Sequence, residues 1–410
     1  MYNKIDKCRS CDNKKLIDIV NLGRQPLANA LLNSVNDFKK EIKIPLKLTI
    51  CKECKLVQLT HTVDPKILFK KYLWVTGTSQ KVKTYRKFFF KKLKKYVNLQ
   101  NNFICEIASN DGFFLEYVKN NNTVIGIDPA KNISKIANSK GIKTYVEFFN
   151  LNSAKKIVKI YKKKPDLVIC RNVIPHIENI KSVMQGLKEI ISNNGIGAIE
   201  FHNAKNIIYK NHYDYIYHEH IFYFTLTSIN KVLRKNGLFG FDYFKSPISG
   251  GSYVILFKKN KSRETLKFKN MIYEESVQKL NSIKNWKKLN LICKKHKIKL
   301  NKMINKLKTN NNIAAYGASA RSSTLINFLN QNNQSIKKVF DLNSLKRGLF
   351  TPGTHIMIEK PISKKINKFD IIFLLAWNFK DEIIRFLKKI KFRGNVIIPL
   401  PNIKLLNLKK

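Results

Sequence analysis

The sequence predicts an α/β protein made of a small N-terminal cysteine module and two Rossmann-like domains. Two Cys-x-x-Cys pairs lie near the start of the chain. An apolar strand that leads through a small-residue turn into a helix begins at residue 103, and the same pattern recurs at residue 312. Repeated strand–turn–helix units are typical of doubly wound parallel sheets. We expect the three domains to span residues 1–68, 69–258 and 259–410.

The chain of 410 residues is longer than one ordinary core supports, and its 44% hydrophobic and 11% aromatic content argues against overall disorder. The longest apolar candidate, residues 371–377, is too short to span a membrane. The first residues lack the apolar segment of a signal peptide. We therefore expect a cytoplasmic protein with no membrane partner.

The charge balance is strongly basic, with 78 Lys+Arg against 27 Asp+Glu and a net charge of +51. Such a charge could indicate a polyanionic partner such as nucleic acid. The excess is mostly lysine spread along the whole chain, whereas a nucleic-acid footprint is normally a patch or stripe. We interpret the charge as compositional drift, with nucleic acid not expected as a partner. A substrate that carries a diphosphate would also profit from the positive field.

The cysteine pairs have the spacing of metal ligands. Cys8-x-x-Cys11 and Cys51-x-x-Cys54 can each hold one edge of a tetrahedral zinc. Disulfides are disfavoured in a reducing compartment, and a redox Cys-x-x-Cys does not normally come twice. Because all four ligand positions are filled, we expect structural zinc.

Acidic residues mark the first Rossmann-like unit. Glu106 lies in its first strand and Asp128 follows the second, where a carboxylate can accept hydrogen bonds from ribose hydroxyls. The Gly-x-Gly-x-x-Gly fingerprint is absent, and this pair suits S-adenosylmethionine better than NAD. Asn172 and His176 follow a later strand, at the sheet edge where ligands bind.

The run from His212 to Tyr223 contains three imidazoles, two carboxylates and several phenols, which suits acid–base chemistry. A polar, aromatic surface loop is the alternative reading. His218 and His220 share a face if the run is extended and diverge if it is helical. In the second unit, hydroxyls and Arg321 at a helix start predict a phosphate site.

Taken together, these motifs resemble the S-adenosylmethionine-dependent C-methyltransferases that act on nucleotide-linked 4-keto deoxysugars. The resemblance covers nearly the whole chain. It rests on the cysteine pairs and on segments in a fixed order, namely Leu22-Gly23-x-Gln25-Pro26-Leu27-Ala28-Asn29, Glu106-Ile107-Ala108-Ser109-Asn110-Asp111-Gly112, Asn172-Val173-x-x-His176, Tyr217-His218-Glu219-His220, Gly250-Gly251-Ser252, Tyr316-Gly317-Ala318, Pro352-Gly353-Thr354-His355 and Trp377-Asn378. It implies a zinc-binding N-terminal domain, a class I methyltransferase domain and a Rossmann-like C-terminal domain that binds the nucleotide sugar.

The resemblance also implies residue roles. His220 would be the general base, with Tyr217, Glu219, His176 and Tyr72 around it. The expected cofactor-binding residues are Glu106, Ala108, Asn110, Gly112, Asp128 and Asn172. The expected substrate-binding residues are Ser319, Arg321, Ser323, Asp341, His355 and Trp377.

The chain departs from the family pattern at three places. Arg321-Ser322 replaces the usual Lys-Gly, Ala108 replaces a common Gly, and Phe201-His202-Asn203 replaces an apolar-Pro pattern. These departures bear on the identity of the nucleotide and sugar more than on the reaction type.

In the expected reaction, a base removes a proton from the carbon beside the ketone, and the resulting enolate attacks the sulfonium methyl. An imidazole, with an ordinary pKa of about 6.5, suits this task near neutral pH. The expected partner is a nucleotide-diphosphate sugar, and the expected assembly is a monomer or weak dimer. The alternatives are a basic RNA methyltransferase, an O- or N-methyltransferase on the same sugar class, and a catalytically silent nucleotide-binding scaffold.

Overall fold

The structure, a computed structural model, describes residues 2–69, 76–78, 80–248 and 251–408. The N-terminal part contains five strands, a short helix and a 3-10 helix over Val35–Lys40. Its elements are β1 (Tyr2–Lys4), β2 (Leu16–Gln25), β3 (Ile44–Cys51), β4 (Val57–Leu59), β5 (His61–Val63) and α1 (Pro65–Phe69). β1 pairs with β5, while β2, β3 and β4 form an antiparallel sheet. A strand from the middle of the chain, β11 (Phe222–Tyr223), completes that sheet by pairing with β4.

The middle part is a seven-stranded sheet flanked by helices. Its further elements are α2 (Gln80–Leu93), β6 (Phe103–Ile107), β7 (Thr123–Ile127), α3 (Lys131–Ser139), β8 (Thr144–Tyr145), α4 (Leu151–Tyr161), β9 (Leu167–Arg171), α5 (Ile180–Ile190), β10 (Ile196–His202), α6 (Ala204–Tyr209), α7 (Leu226–Lys235), β12 (Phe239–Ser246) and β13 (Ser252–Lys258). The strand order is β12-β13-β10-β9-β6-β7-β8. Strands β6 to β10 pair in parallel, and β13 runs antiparallel to both of its neighbours.

One predicted element differs in this sheet. The sequence pattern after β6 predicts a helix from Phe113 to Lys119, but the structure has two 3-10 turns there, Leu115–Tyr117 and Lys119–Asn121. The Asn122 amide donates to the Val118 carbonyl at 2.8 Å. A side chain that bonds nearby backbone in this way competes with helix propagation, so the asparagine run after β6 ends the segment early.

The C-terminal part is a second α/β unit. Its elements are α8 (Leu266–Val277), α9 (Ile283–Leu307), β14 (Ile313–Tyr316), α10 (Ala320–Phe328), β15 (Val339–Phe340), β16 (Ile358–Glu359), α11 (Ser363–Ile366), β17 (Ile371–Leu374), α12 (Lys380–Lys389), β18 (Asn395–Ile398) and β19 (Lys404–Asn407). The strand order is β16-β15-β14-β17-β18-β19, with only β19 antiparallel to its neighbour. The predicted α/β class with two Rossmann-like sheets is therefore confirmed.

The Lys-rich sequence of residues 260–310 predicts a long helical connector, but its helix α9 is a core element. Trp286, Leu289, Cys293, Leu300 and Ile304 are buried, and their spacing of three or four residues places an apolar stripe along the helix. One continuous hydrophobic core contains this stripe, the N-terminal sheet and the C-terminal sheet. Among the described residues, no helix is long and apolar enough to cross a membrane. Because α9 and β11 pack against distant parts of the chain, the domain limits 1–68, 69–258 and 259–410 stay a prediction.

Candidate active site

The four N-terminal cysteines form one cluster. Their sulfur atoms all lie within 4.8 Å of one another, with 3.5 Å between Cys11 Sγ and Cys51 Sγ and 3.6 Å between Cys8 Sγ and Cys54 Sγ. Sulfurs that surround zinc tetrahedrally at about 2.3 Å would be roughly 3.8 Å apart. The donor set and its spacing therefore fit a structural zinc.

Local turns create this cluster. The amides of Asp12 and Lys55 donate to the carbonyls of Cys8 and Cys51 at 2.9 and 3.1 Å. Both donors adopt the left-handed conformation, with φ of 61°. The Gln58 amide donates to Cys8 Sγ at 3.2 Å, which would orient that ligand from outside the metal shell.

Removing one ligand tests the metal assignment. We expect Cys11→Ser to lose most of its zinc and to unfold at a lower temperature, because three ligands hold the metal much less tightly than four. Metal analysis should find about one zinc per wild-type chain. Cys293→Ala, which changes a buried cysteine of α9, is the control and should keep its zinc. Full zinc content in Cys11→Ser would contradict the assignment.

The carboxyl ends of β6 and β9 carry unusual backbone. Ala108, Asn110, Gly112 and Asn172 have positive φ values of 53°, 51°, 69° and 51°. The left-handed conformation is uncommon outside glycine and often marks functional sites. All four are residues that we expected to bind the cofactor.

The two acidic residues of this edge are buried. Asp128 accepts from the amides of Asn110 and Ala130, each at 2.9 Å. Glu106 Oε1 accepts from Arg171 Nε at 2.7 Å, while Glu106 Oε2 has no partner among the described residues. Burial raises the pKa of Glu106 to about 7. An unpaired carboxylate oxygen at this position fits an amino group such as that of S-adenosylmethionine.

The Tyr217–His220 run is not helical, and His220 is held in one tautomer. Its Nδ1 lies 3.0 Å from the Tyr215 carbonyl. Because a carbonyl can only accept, Nδ1 carries the proton and Nε2 keeps its lone pair. The Tyr217 hydroxyl donates to Nε2 at 2.7 Å. Burial holds the pKa of His220 well below its usual range, so the ring is neutral and can accept a proton.

His176 packs beside this imidazole, and the Glu219 carboxylate binds Asn29. The His176 and His220 ring centroids are 4.8 Å apart, and His176 Nδ1 donates to the Glu219 carbonyl at 2.7 Å. Burial lowers the pKa of His176 to about 4. Both Glu219 carboxylate oxygens accept from the Asn29 side chain, at 2.7 and 2.9 Å. Asn29 had no predicted role, although it ends a motif that carried the family resemblance.

His218 lies elsewhere. Its Nε2 donates to the Ile44 carbonyl of β3 at 3.2 Å, so its ring packs against the N-terminal sheet. The two imidazoles therefore diverge, and His220 is the one in contact with Tyr217 and His176.

The charge of Glu219 gives stability a pH dependence. Burial raises its pKa to about 7, and the Asn29 hydrogen bond only partly opposes this. An unfolded glutamate titrates near 4.3, so this group stabilises the fold relatively at low pH, and that contribution is lost as pH rises towards 7. The wild type should lose unfolding free energy between pH 4.5 and 7, and Glu219→Gln should not. The unfolding free energy of the variant relative to the wild type should therefore rise over this range. Denaturant titrations at several pH values measure both unfolding free energies, with Glu147→Gln as the control variant. If the wild type and Glu219→Gln showed the same pH dependence, the raised pKa of Glu219 would be contradicted.

Residues of the C-terminal part reach the same region. Arg321 Nε and Nη2 each bind one Asp214 carboxylate oxygen at 3.0 Å, and Trp377 Nε1 donates to Asp214 Oδ2 at 2.8 Å. Arg321, which we expected to help bind phosphate at the start of α10, is paired with Asp214 in the structure, and its phosphate role stays a prediction. Ser319 instead caps α10 by accepting from the Ser322 amide at 3.2 Å. Asp214 had no predicted role and is the acid that joins this run to α10.

The other predicted substrate residues are spread out. Asp341 accepts from the amides of Ala318 and Asn343 at 2.7 and 2.8 Å, which repeats the arrangement around Asp128. His355 instead contacts the N-terminal part, with Nε2 2.8 Å from the Glu41 carboxylate. A cleft beside α10 is lined by residues that include Ala28, Gly317, Ser319, Ser323 and Pro352. Tyr72 and Gly250 lie outside the described residues.

Family comparisons agree with this arrangement. Residues 8–69 match a zinc binding domain, residues 80–239 a methyltransferase domain, and residues 247–401 a C-methyltransferase C-terminal domain. The chain is 27% identical over 410 residues to C-methyltransferase NovU of Streptomyces niveus, covering 97% of this chain and 96% of that protein.

Solved structures similar to part of the chain include the magnesium protoporphyrin IX methyltransferase of Synechocystis PCC 6803 with bound S-adenosylmethionine. That match has 15% identity and a TM-score of 0.36, and covers 48% of this chain and 99% of the other. An S-adenosylmethionine-dependent methyltransferase of Clostridium acetobutylicum matches at 12% identity and a TM-score of 0.34, covering 44% of this chain and 92% of the other.

The seven-stranded sheet with its acidic carboxyl edge defines a class I, S-adenosylmethionine-dependent methyltransferase with a zinc-binding module. The order of the three domain matches along the chain narrows the class of methyltransferase. A zinc-binding domain, a methyltransferase domain and a C-methyltransferase C-terminal domain follow one another along the chain, and this order matches the three-part C-methyltransferase family.

Proposed function

We propose that this enzyme methylates a carbon atom of a nucleotide-linked 4-keto deoxysugar. The observation that carries the proposal is the neutral His220, whose Nε2 lone pair faces the Tyr217 hydroxyl inside a buried cluster of phenols and imidazoles. A carbon nucleophile must first lose a proton, and a buried neutral imidazole is suited to take it. The C-methyltransferase relative supports the same reaction type.

Each of these side chains would have a separate role in the methyl transfer. His220 Nε2 takes the proton from the carbon beside the ketone, and the C–H electron pair becomes the enolate. The phenol of Tyr217 lies close enough to His220 to hydrogen bond the developing oxyanion. Bound S-adenosylmethionine supplies the electrophilic methyl group. When the enolate carbon bonds to that methyl, the methyl–sulfur bond breaks and its electron pair goes to sulfur, so S-adenosylhomocysteine is the leaving group. The ketone re-forms and the proton stays on His220.

Two sheet edges would hold the two ligands. Glu106 and Asp128 lie at the edge of the seven-stranded sheet and would bind the cofactor's amino group and ribose. Asp341 occupies the equivalent place in the C-terminal sheet, at the end of β15, and would bind the nucleoside ribose of the substrate. The hydroxyls at the start of α10 line the adjoining cleft and would bind the diphosphate.

The decisive experiment offers the enzyme a panel of nucleotide-linked 4-keto sugars with S-adenosylmethionine and detects products by mass spectrometry. We expect one added methyl group on carbon, located by NMR. Methylation on oxygen or nitrogen would overturn the carbon assignment. Methylation of RNA, with no sugar nucleotide accepted, would overturn the substrate class.

The matched acids test the placement of the ligands. We expect Asp128→Ala to weaken the binding of S-adenosylmethionine by about 1–3 kcal/mol, because the ribose hydroxyls lose their hydrogen-bond acceptor. Asp341→Ala should leave that affinity unchanged and instead raise KM for the sugar nucleotide. Calorimetry and steady-state kinetics measure the two effects. If Asp341→Ala weakened cofactor binding and Asp128→Ala did not, the cofactor would bind at the C-terminal sheet and the nucleotide sugar at the seven-stranded sheet.

A further inference from the structure

His202 is a buried imidazole with unused hydrogen-bonding capacity. It is the last residue of β10 and only 7% exposed. Neither of its ring nitrogens has a partner among the described residues. Leaving such buried nitrogens unpaired is costly, and native structures rarely do so without a ligand or an ordered water to complete them.

The His202 ring is also fixed in place. It stacks on Tyr215 with ring centroids 3.6 Å apart and planes 15° apart. Tyr215 in turn stacks on His220, with centroids 4.8 Å apart. One phenol therefore touches both the proposed base and the unpaired imidazole, which places His202 one ring away from His220.

The surrounding charges are otherwise satisfied. Asp214 is fully engaged by Arg321 and Trp377. His212 lies nearby, with its ring centroid 6.4 Å from that of His202, and its Nδ1 is also unpartnered among the described residues. Burial and the neighbouring Arg321 charge hold the pKa of His202 well below its usual range. The neutral ring therefore offers one N–H donor and one lone pair.

We propose that His202 is a specificity-determining residue that hydrogen bonds a hydroxyl group on the hexose ring of the substrate. This rests on the proposed function. A hydroxyl both donates and accepts, which matches a neutral imidazole with two free nitrogens. The enzyme would therefore prefer a 4-keto sugar that retains a ring hydroxyl near the ketone over its further deoxygenated analogue, because the analogue leaves the buried nitrogens unpaired.

The test compares nucleoside-diphosphate 4-keto-6-deoxyglucose with its 2-deoxy, 3-deoxy and 2,3-dideoxy analogues. We expect the wild type to favour at least one hydroxylated member by roughly 10- to 100-fold in kcat/KM. His202→Phe keeps a ring to stack on Tyr215 but has no nitrogen, and it should reduce that ratio to within about threefold of one. His202→Gln restores one donor and one acceptor and should recover part of the ratio.

His218→Phe is the matched control, since it removes another buried imidazole, one that hydrogen bonds to the Ile44 carbonyl of β3. It should leave the ratio as in the wild type. If His202→Phe folds and retains the wild-type ratio, the nitrogens serve only an ordered water and the proposal is wrong. A wild type that methylates the panel without any hydroxyl preference also overturns it while leaving the proposed function intact. A wild type that methylates no member overturns the proposed function, and this assignment with it.

Discussion

His220→Asn should bind both ligands and lose turnover by roughly 10²–10⁴-fold, the contribution typical of a positioned base. Asparagine keeps much of the size of the ring and can still donate to the Tyr215 carbonyl, but it cannot accept the substrate proton. Proton removal can be followed separately in heavy water, with the methyl donor replaced by its demethylated product. The wild type should exchange deuterium at the carbon beside the ketone, and the variant should not.

Two further variants complete this experiment. His218→Asn should keep the exchange, because that ring is hydrogen bonded to β3 and lies away from Tyr217. Tyr217→Phe frees the Nε2 lone pair of His220; exchange that persists would show that the imidazole acts directly, and exchange that stops would show that the proton passes through the phenol oxygen. Exchange at the wild-type rate in His220→Asn would overturn its assignment as the base.

Asp214→Ala should destabilise the protein by about 3–5 kcal/mol, because it leaves the Arg321 guanidinium buried without its counter-ion. The side chains of this pair are 1% and 11% exposed, and Trp377 loses its acceptor in the same variant. The double variant Asp214→Ala/Arg321→Met should recover part of the loss, since it removes the orphaned charge as well. Denaturant unfolding of the wild type, both single variants and the double variant gives the coupling energy.

Surface Glu147→Ala is the matched control. The side chains of Glu147 and Lys156 are 26% and 56% exposed, and solvent-exposed pairs contribute at most about 1 kcal/mol. If Asp214→Ala cost no more than this control, Asp214 and Arg321 would not form the buried pair that joins α10 to the segment from His212 to Tyr223.

The sequence predicted most of the scaffold and part of the site. Strand–turn–helix periodicity located both sheets, and the cysteine spacing located the metal cluster, because local patterns encode these features directly. The strand positions alone placed Glu106 and Asp128 at one edge of the sheet, and their role in binding the cofactor stays a prediction. The run around His220 was recognised by its unusual density of titratable side chains.

The residues that sequence reasoning missed depend on tertiary pairing. Asn29 meets Glu219 across 190 positions of sequence, and Asp214 meets Arg321 across 107. No local pattern reveals such partners, and the predicted phosphate role of Arg321 ignored an acid that could reach it. His202 was noticed only as a departure from a family pattern. Its significance comes from burial and from unpaired nitrogens, which a sequence alone does not show.

The strand pairing between β4 and β11 limits how hybrids of this protein and a related one can be built. A hybrid that exchanges the chain before residue 68 with a relative would have to match the register of Phe222 with Gln58 and of Tyr223 with Val57. It would also need an amide where Asn29 reaches Glu219. The cysteine module therefore cannot be exchanged alone. Hybrids that fold should take this module and residues 219–223 from the same parent protein.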